Sequence, residues 1–313
     1  MAASIRNLAV IGAGTMGADI AVRFAAVGCN VYLMARPGPS RDGFSERAVR
    51  SAADLDVDYK ELPLHLVTKM QDLPWQDLDL VIENVKENLP IKQDVFREMV
   101  KLAKPQTPLA SNSSTFSVRL IGEGLDTRER MLGLHFFMPA HLVPLVEVVM
   151  SDRTDPEMAQ GMYDDLATLG FKPVMVKRDV PGFIANRLQA ALSREAWSLI
   201  DDGVARPEDI DRAVRYGFGF RYVAAGPVLQ KEISGLDVTA AAAAILYPEL
   251  CNDDAPRKFL TDMIARGEFG LKTGKGFWEW SEAQTKAHGE YEAEMRKVTG
   301  GLPMNIPGLP KLF

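Results

Sequence analysis

Short apolar runs alternate with helix-like repeats in the first half of the chain. Four runs have the length and composition of strands, at residues 8–11, 30–35, 80–83 and 108–111. Residues 18–27 and 89–103 instead place apolar side chains every three or four positions, as amphipathic helices do. The second of these helices is predicted to bury a stripe of Ile91, Val95, Met99 and Leu102. Strands that alternate with helices predict an α/β fold.

The second half of the chain has a helical pattern. One more strand-like run, at residues 173–176, precedes a predicted long helix introduced by Val180 and Pro181. The apolar positions of this helix are Phe183, Ile184, Leu188, Leu192, Trp197 and Ile200. Later segments keep helical spacing and contain no convincing strand. We therefore predict a first domain over residues 1–178 and an all-helical domain over residues 179–313, which would line a substrate pocket.

Composition and charge narrow the classes of function. Hydrophobic residues at 47% and charged residues at 25% are typical of a globular protein, and the net charge of −6 argues against a broad nucleic-acid surface. No apolar run approaches the roughly 20 residues of a membrane span, so a cytoplasmic protein with a small-molecule substrate is expected. Cys29 and Cys251 lack the spacing of a metal site, and no metal is expected.

The segment GAGTMG, residues 12–17, joins the first strand to the first helix. Gly12 allows a tight turn, Gly14 lets the backbone approach a pyrophosphate, and Gly17 permits close packing of helix on strand. Thr15 and Met16 begin the helix, whose N-terminus would face the phosphates. This context predicts a Rossmann-type, doubly wound dinucleotide-binding domain.

The end of the second predicted strand bears on the choice of cofactor. An acidic residue at this position usually accepts the ribose hydroxyls of NAD, but the strand ends in Met34, Ala35 and Arg36. Arg36 could contact the 2′-phosphate of NADP, or it could be a solvated side chain. Both NAD and NADP are therefore kept as candidate cofactors.

A lone glutamate stands in the apolar run of residues 144–149. Burying Glu147 there is costly unless it pairs with another group, and His135 precedes it by twelve residues. A histidine whose second nitrogen is held by a carboxylate suits general-base catalysis, although such a pair can also be purely structural. His141, in the loop between them, is interpreted either as a substrate contact or as an ordinary loop residue.

Five motifs together resemble one enzyme family. They are VIGAGTMG, SNSS at residues 111–114, GLHFF followed by PLVEVV, VPGFIANR at residues 180–187, and TGKGFWEW. In this order, over nearly the whole chain, they are similar to the short-chain L-3-hydroxyacyl-CoA dehydrogenase family. That family includes 3-hydroxybutyryl-CoA dehydrogenases and relatives that act on free acids, such as L-gulonate 3-dehydrogenase (lambda-crystallin) and carnitine dehydrogenase.

The resemblance implies roles for individual residues. The matched motifs make His135 the general base and Glu147 the group that orients it. They also make Ser114 and Asn186 the side chains that bind the reacting oxygen. The segment VKENLPIK resembles a family motif whose glutamate and lysine lie beside the cofactor, which implies that role for Glu87 and Lys92.

The resemblance also implies a reaction. It is the NAD(P)-dependent interconversion of an L-3-hydroxyacyl substrate and its 3-oxo form, in a homodimer that pairs through the second domain. Met138 stands where the family usually has asparagine, and residues 36–76 replace a longer lysine-bearing helical pair that contacts CoA. The substrate is thus either a CoA thioester or a free 3-hydroxy acid. The alternative function is that of a non-catalytic, cofactor-binding structural protein of the lambda-crystallin type.

Overall fold

The computed structural model describes residues 4–286. Contacts between residues divide the chain into a first unit, Met1–Ala185, and a second unit, Asn186–Phe313. The predicted boundary between residues 178 and 179 precedes this division. Residues 287–313 of the predicted second domain lie outside the described part of the chain.

An eight-stranded sheet forms the centre of the first unit. Its strands are β1 Asn7–Ile11, β2 Asn30–Met34, β3 Leu64–Val67, β4 Leu80–Glu83, β5 Leu109–Ser111, β6 Met131–Phe136, β7 Leu145–Val149 and β8 Lys172–Val176. They lie in the order β3-β2-β1-β4-β5-β6-β7-β8, and only the β6–β7 pair is antiparallel. This sheet confirms the predicted Rossmann-type α/β fold. Strands β3 and β6 and the antiparallel pairing were not predicted.

Helices cover both faces of the sheet. They are α1 Thr15–Ala26, α2 Pro39–Asp42, α3 Phe44–Asp54, α4 Leu89–Leu102, α5 Val118–Ile121 and α6 Pro156–Thr168. Leu8 and Val10 of β1 pack into a core shared with α1, α3 and α6, whereas Ala9 and Ile11 pack into a second core shared with α4 and α5. Successive residues of a strand point to opposite faces, so one strand supplies both cores.

Helix α4 differs from its predicted packing. The residues that it buries are Lys92, Phe96 and Met99, while Ile91 is exposed. Lys92 turns inward because its ammonium group lies 2.9 Å and 3.1 Å from the two carboxylate oxygens of Glu83, which is fully buried on β4. Lys92 and Phe96 therefore take the fully buried positions that the apolar pattern gave to Ile91 and Val95, while Met99 is buried as predicted.

The predicted long helix begins later than its sequence suggested. Helix α7 spans Ala185–Asp201, because Gly182 and Phe183 have φ angles of +76° and +51°, which a right-handed helix excludes. Phe183 is not a helical residue but is buried with Val149 and Val176. The prediction that Phe183 and Ile184 belong to the helix was wrong.

The second unit is helical over its described residues, as predicted. After α7 come α8 Pro207–Ala213, a π-helix Val214–Gly219, α9 Phe220–Ala224, α10 Pro227–Ser234, α11 Leu236–Leu246, α12 Lys258–Ala265 and α13 Glu282–Lys286. Two isolated bridges join Lys275 to Gly270 and Glu279. Between residues 4 and 286, no helix has the length and apolar character needed to span a membrane.

Apolar side chains of the second unit stay largely uncovered. Over residues 186–284 the structure buries no hydrophobic side chain, and Ser198 is the one buried residue of that range. Val228, Tyr216 and Ile245 are 79%, 74% and 73% exposed. A helical domain of this size normally buries one apolar face of each helix, so exposed apolar surface of this extent is typical of an association site.

His141 ties the loop after β6 to the first layer of helices. It is 2% exposed, its Nε2 lies 3.0 Å from Asp54 on α3, and its Nδ1 lies 3.3 Å from Asp19 on α1. Ser51 donates a hydrogen bond to the other oxygen of Asp19. Burial alone would lower the pKa of His141, but hydrogen bonds and charges from Asp19 and Asp54 outweigh it and raise that pKa. His141 is therefore a buried structural residue rather than an ordinary loop residue.

We predict that His141→Asn destabilises the protein more at low pH than at high pH. The raised pKa stabilises the folded state fully below about pH 6.5, and this contribution is lost as the pH rises through the raised value. Removing one partner of a buried pair should cost about 3–5 kcal/mol at about pH 6 and less at about pH 9. Urea unfolding at both pH values measures this, with exposed His65→Asn as control. An equal loss at both pH values would contradict a buried imidazolium.

Candidate active site

His135 and Glu147 face each other across the antiparallel pair of β6 and β7. The two residues are direct partners in the strand register, which places their side chains on the same face of the sheet. Nδ1 of His135 lies 2.7 Å from Oε2 of Glu147. Glu147 is fully buried and His135 is 5% exposed. The sequence predicted this pairing from the cost of burying the glutamate.

The second oxygen of Glu147 is held by the turn that precedes α7. The backbone N–H groups of Ile184 and Ala185 each donate to Oε1 over 2.9 Å. The left-handed residues Gly182 and Phe183 bend the chain immediately before these two groups. Burial alone would raise the pKa of Glu147, but the hydrogen bonds from His135 and the two N–H groups hold it below its ordinary value.

An ionised Glu147 determines the tautomer of His135. A carboxylate only accepts hydrogen bonds, so Nδ1 carries the proton and Nε2 keeps its lone pair. Among residues 4–286, Nε2 has no hydrogen-bond partner. The imidazole is fixed in place by Phe137 and Phe183, with ring centroids 4.6 Å and 5.3 Å away. This geometry leaves one basic nitrogen available to a substrate.

Polar side chains at the carboxyl end of β5 connect three strands. Asn112 accepts a hydrogen bond from the N–H of Phe136 on β6 over 2.8 Å and donates one to Asn84, which follows β4, over 2.7 Å. Ser114 is exposed and lines the neighbouring cleft. The sequence placed Ser114 and Asn112 in the SNSS segment but did not single out Asn84, whose signal was its position directly after the buried strand β4.

A cleft of about 1520 Å³ opens around the glycine-rich turn. A Cβ on Gly12 would lie 2.5 Å from the carbonyl oxygen of Asn84, and one on Gly17 would lie 1.8 Å from that of Gly12. Only glycine fits at either position. A Cβ on Gly14 would meet no atom within 4 Å, so the space above Gly14 is open. These three environments match the roles predicted for a pyrophosphate-binding turn.

Hydrogen-bond donors in the cleft fit a dinucleotide. Helix α1 begins at Thr15, so the N–H groups of Thr15 and Met16 have no acceptor within the helix. Nδ2 of Asn84, a residue that lines the cleft, is a buried atom without a hydrogen-bond partner among the described residues. Unpaired donors of this kind are costly unless a ligand accepts from them.

Glu87 and Lys92, predicted to lie beside the cofactor, belong to a network with Glu83. Lys92 lies 3.1 Å from Glu87 as well as against Glu83, and Ser111 donates to Glu83 over 2.6 Å. Ser113 donates to Glu87. Burial would raise the pKa of Glu87, but Ser113 and Lys92 hold it below its ordinary value. The sequence analysis did not single out Glu83. Its position as the charged last residue of an otherwise apolar strand could have indicated a buried ion pair.

Arg36 and Asn186, the two remaining predicted site residues, belong to different units of the chain. Arg36 is exposed and lines the cleft just beyond β2. Asn186 is the second residue of α7 and the first of the second unit, directly after Ala185. Its contact with a reacting oxygen stays a prediction.

Comparisons with known proteins identify the family. Residues 7–180 match the model of the 3-hydroxyacyl-CoA dehydrogenase NAD-binding domain. Residues 182–280 match the model of the 3-hydroxyacyl-CoA dehydrogenase C-terminal domain. The chain belongs to the 3-hydroxyacyl-CoA dehydrogenase family. The resemblance read from the motifs is thereby confirmed, and NAD is the cofactor that the family's first domain binds.

Individual relatives differ in the substrates that their names record. A 5-formyl-3-hydroxy-2-methylpyridine 4-carboxylate 5-dehydrogenase of Mesorhizobium japonicum is 35% identical over 90% of this chain and 93% of its own. A 3-hydroxybutyryl-CoA dehydrogenase of Clostridioides difficile is 32% identical over 88% of this chain and 100% of its own. A crystal structure of the pyridine carboxylic acid enzyme, described as an NAD+-dependent dismutase, superposes with a TM-score of 0.85 at 32% identity, covering 96% of this chain and 100% of its own. The chain is thus similar to NAD-dependent dehydrogenases of more than one substrate class.

We predict that Gly14→Ala weakens cofactor binding while leaving the fold intact. An added methyl group enters open space and a φ of −64° suits alanine, so the free energy of unfolding should change by less than about 1 kcal/mol. The same methyl group would occupy the pyrophosphate position, and NADH affinity should fall about tenfold or more.

Gly12→Ala is the matched comparison. Its φ of +112° and the nearby Asn84 carbonyl oxygen should make this variant lose about 1–3 kcal/mol of stability. Urea unfolding and NADH fluorescence titration distinguish the two. Unchanged NADH affinity in Gly14→Ala would show that the pyrophosphate lies elsewhere.

Proposed function

We propose that this chain is an NAD-dependent dehydrogenase that interconverts an L-3-hydroxyacyl substrate and its 3-oxo form. His135 is the general base and Glu147 orients it. The observation that carries the proposal is the buried Glu147, which holds Nδ1 of His135 and leaves Nε2 as an available base. The family assignment supports the same chemistry.

The mechanism follows from the chemistry of alcohol oxidation. NAD, held by the glycine-rich turn at residues 12–17, would supply the acceptor for the hydride that leaves the carbinol carbon. Nε2 of His135 removes the hydroxyl proton, and the negative charge of Glu147 stabilises the imidazolium that forms. In the reverse direction the imidazolium returns the proton. Ser114 and Asn186 donate hydrogen bonds to the reacting oxygen, each lowering the barrier by about 2–4 kcal/mol when aligned.

The acyl group of the substrate is either a CoA thioester or a free carboxylate, and the region between β2 and β3 bears on this choice. Between β2 and β3 the chain forms helices α2 and α3 and contains a single lysine, Lys60. The resemblance implies a longer helical pair with several lysines in the relatives that use CoA. This supports a free acid rather than a CoA thioester.

A second candidate function is oxidation of an aldehyde on an aromatic carboxylate. The observation that favours it is the 35% identity and TM-score of 0.85 with the pyridine carboxylate enzyme. The same residues could serve it, because an aldehyde hydrate offers His135 a hydroxyl proton and the cofactor a hydride.

Absorbance at about 340 nm tests these functions directly, since reduced nicotinamide absorbs there. Acetoacetyl-CoA and free acetoacetate are supplied with NADH, and the formyl pyridine carboxylate is supplied with NAD. Turnover of acetoacetate in preference to its thioester supports the free-acid form. Turnover of the pyridine aldehyde alone would replace the first proposal with the second. Cofactor binding without any turnover would favour the non-catalytic, lambda-crystallin type of function.

We predict that His135→Gln reduces turnover about a hundredfold or more while NADH affinity stays within about threefold. Glutamine keeps polarity but cannot take a proton. Glu147→Gln should also lose much of the rate, because a neutral amide cannot stabilise the imidazolium. His65→Gln, at an exposed histidine, is the matched control. More than about a tenth of the wild-type rate in His135→Gln would remove the base assignment.

The pH dependence gives a second measure of the same base. Oxidation needs neutral His135, so its kcat/KM should rise with pH, while kcat/KM for reduction should fall. Glu147, whose pKa is held below its ordinary value, stays ionised between about pH 5 and 9. Flat profiles in both directions would contradict the mechanism.

We also propose that two copies pair through the second unit. The uncovered apolar side chains described above support this, because such surfaces mark association sites. Light scattering should give about twice the chain mass of 34.5 kDa. Val228→Lys and Ile245→Lys should weaken the dimer, whereas Val49→Lys, at a half-exposed position on α3, should not. A wild-type mass of one chain would overturn the proposal.

A further inference from the structure

Asn84 lies at the point where the strand order of the sheet reverses. Strands β2 and β3 lie on one side of β1, while β4 and the later strands lie on the other. Asn84 directly follows β4, and its backbone N–H donates to the carbonyl oxygen of Ile11 on β1 over 2.8 Å. Open parallel sheets bind their ligands in the crevice at such a reversal. Asn84 is therefore held at the edge where a dinucleotide would lie.

The side chain of Asn84 begins beside the glycine-rich turn. A Cβ on Gly17 would lie 3.3 Å from the Cβ of Asn84, and one on Gly12 would lie 2.5 Å from its carbonyl oxygen. Asn84 also lines the cleft. The side chain thus leaves the backbone next to the position assigned to the pyrophosphate.

A backbone N–H fixes the orientation of two amide groups. The N–H of Phe136 can only donate, so the atom of Asn112 that faces it over 2.8 Å is the carbonyl oxygen Oδ1. Nδ2 of Asn112 then faces Asn84 over 2.7 Å, and the atom that accepts from it is Oδ1 of Asn84. Rotating either amide by half a turn would bring two donors or two acceptors together. Nδ2 of Asn84 is therefore the atom left over.

This remaining donor has no acceptor within residues 4–286. Nδ2 of Asn84 is a buried atom, and no oxygen of the described chain lies within hydrogen-bond distance in a suitable direction. A buried amide donor without an acceptor destabilises the protein that contains it. An oxygen atom of a ligand in the cleft would remove that cost.

The place of the donor in the sheet indicates which half of a dinucleotide it meets. In dinucleotide-binding sheets the adenosine ribose lies at the end of β2. Asn84 follows β4, on the other side of β1, so the nicotinamide half extends over this residue toward β6. His135 on β6 lies on that same side of β1. The first group beyond the pyrophosphate in this direction is the ribose that carries the nicotinamide.

We propose that Nδ2 of Asn84 donates a hydrogen bond to the nicotinamide-side ribose of bound NAD(H), and that Asn112 positions this donor. The inference rests on the NAD-dependent function only in taking the cleft as the dinucleotide site. Asn112 bonds both to Asn84 and to Phe136, the residue after His135. One chain of hydrogen bonds therefore locates the ribose relative to the base.

Binding of cofactor fragments tests the contact without any turnover. NADH is titrated by its fluorescence, and ADP-ribose and ADP are measured by competition with NADH. ADP contains the adenosine and the pyrophosphate, and ADP-ribose adds the second ribose. Asn84→Ala should weaken binding of NADH and of ADP-ribose about fivefold or more, because one hydrogen bond is lost, and should change ADP binding less than about twofold.

Asn84→Asp is a second variant of nearly the same size. Its carboxylate keeps the hydrogen bond from Asn112 but has no donor for the ribose. ADP-ribose should again lose more affinity than ADP, whose loss measures the effect of the added charge.

Asn7→Ala is the matched control. Oδ1 of Asn7 accepts from Nδ2 of Asn30 over 3.1 Å, so this variant also removes an amide–amide hydrogen bond between neighbouring strands. Neither residue lines the cleft. NADH affinity should change less than about twofold, and urea unfolding verifies that each variant is folded.

Asn112→Ala tests whether Asn112 acts through Asn84. It should weaken NADH binding about threefold, because the amide of Asn84 is then free to rotate. In the Asn84→Ala background the same substitution should change NADH binding less than about twofold. Losses that add fully in the double variant would overturn the positioning role.

The outcomes separate this inference from the proposed function. Equal effects on ADP-ribose and ADP in the Asn84 variants, including no effect on either, would refute the ribose contact and leave the dehydrogenase proposal standing. A loss of affinity for NADH alone would overturn the assignment to the ribose and indicate the nicotinamide. Failure of wild-type protein to bind NADH would refute both.

Discussion

The structure of the site depends on keeping one carboxylate charged inside the protein. Glu147 has lost its contact with water, and an isolated ion there would be strongly destabilised. Three donors compensate for that loss, one from His135 and two from the backbone at the start of α7. The donors and Glu147 come from three parts of the chain, so β6, β7 and the turn after β8 must all be in place before the pair exists.

A second buried carboxylate, Glu83, is stabilised beside the cleft that is predicted to bind the cofactor. Glu83 is buried as deeply as Glu147; Lys92 neutralises its charge, and Ser111 and the backbone N–H of Val85 donate hydrogen bonds to it. Asn112 then links the ends of β4 and β6 across β5. Polar side chains at the ends of neighbouring strands are thus hydrogen-bonded to one another. These bonds fix the distance between the cleft beside β4 and His135 on β6.

Local signals in the sequence predicted much of this arrangement. The glycine-rich turn and the His135–Glu147 pair could be read because a tight turn and a buried charge each leave a short-range signature. Pairing direction, such as the antiparallel β6–β7 contact, depends on residues distant in sequence. Likewise, the helical spacing of apolar residues wrongly placed Phe183 in α7. Its backbone has a positive φ angle, which an apolar side chain does not indicate in the sequence. The two partners of His141 lie on helices α1 and α3, far from it in the sequence, so they left no local pattern.

Helix α7 starts at Ala185, and the N–H of that residue is one of the groups that hold Glu147. The covalent connection between the two units is therefore mechanically joined to the carboxylate that fixes the histidine. The boundary between the two units follows Ala185 directly, so a substitution that shifts the backbone at this boundary also displaces one of the groups that stabilise the buried charge of Glu147.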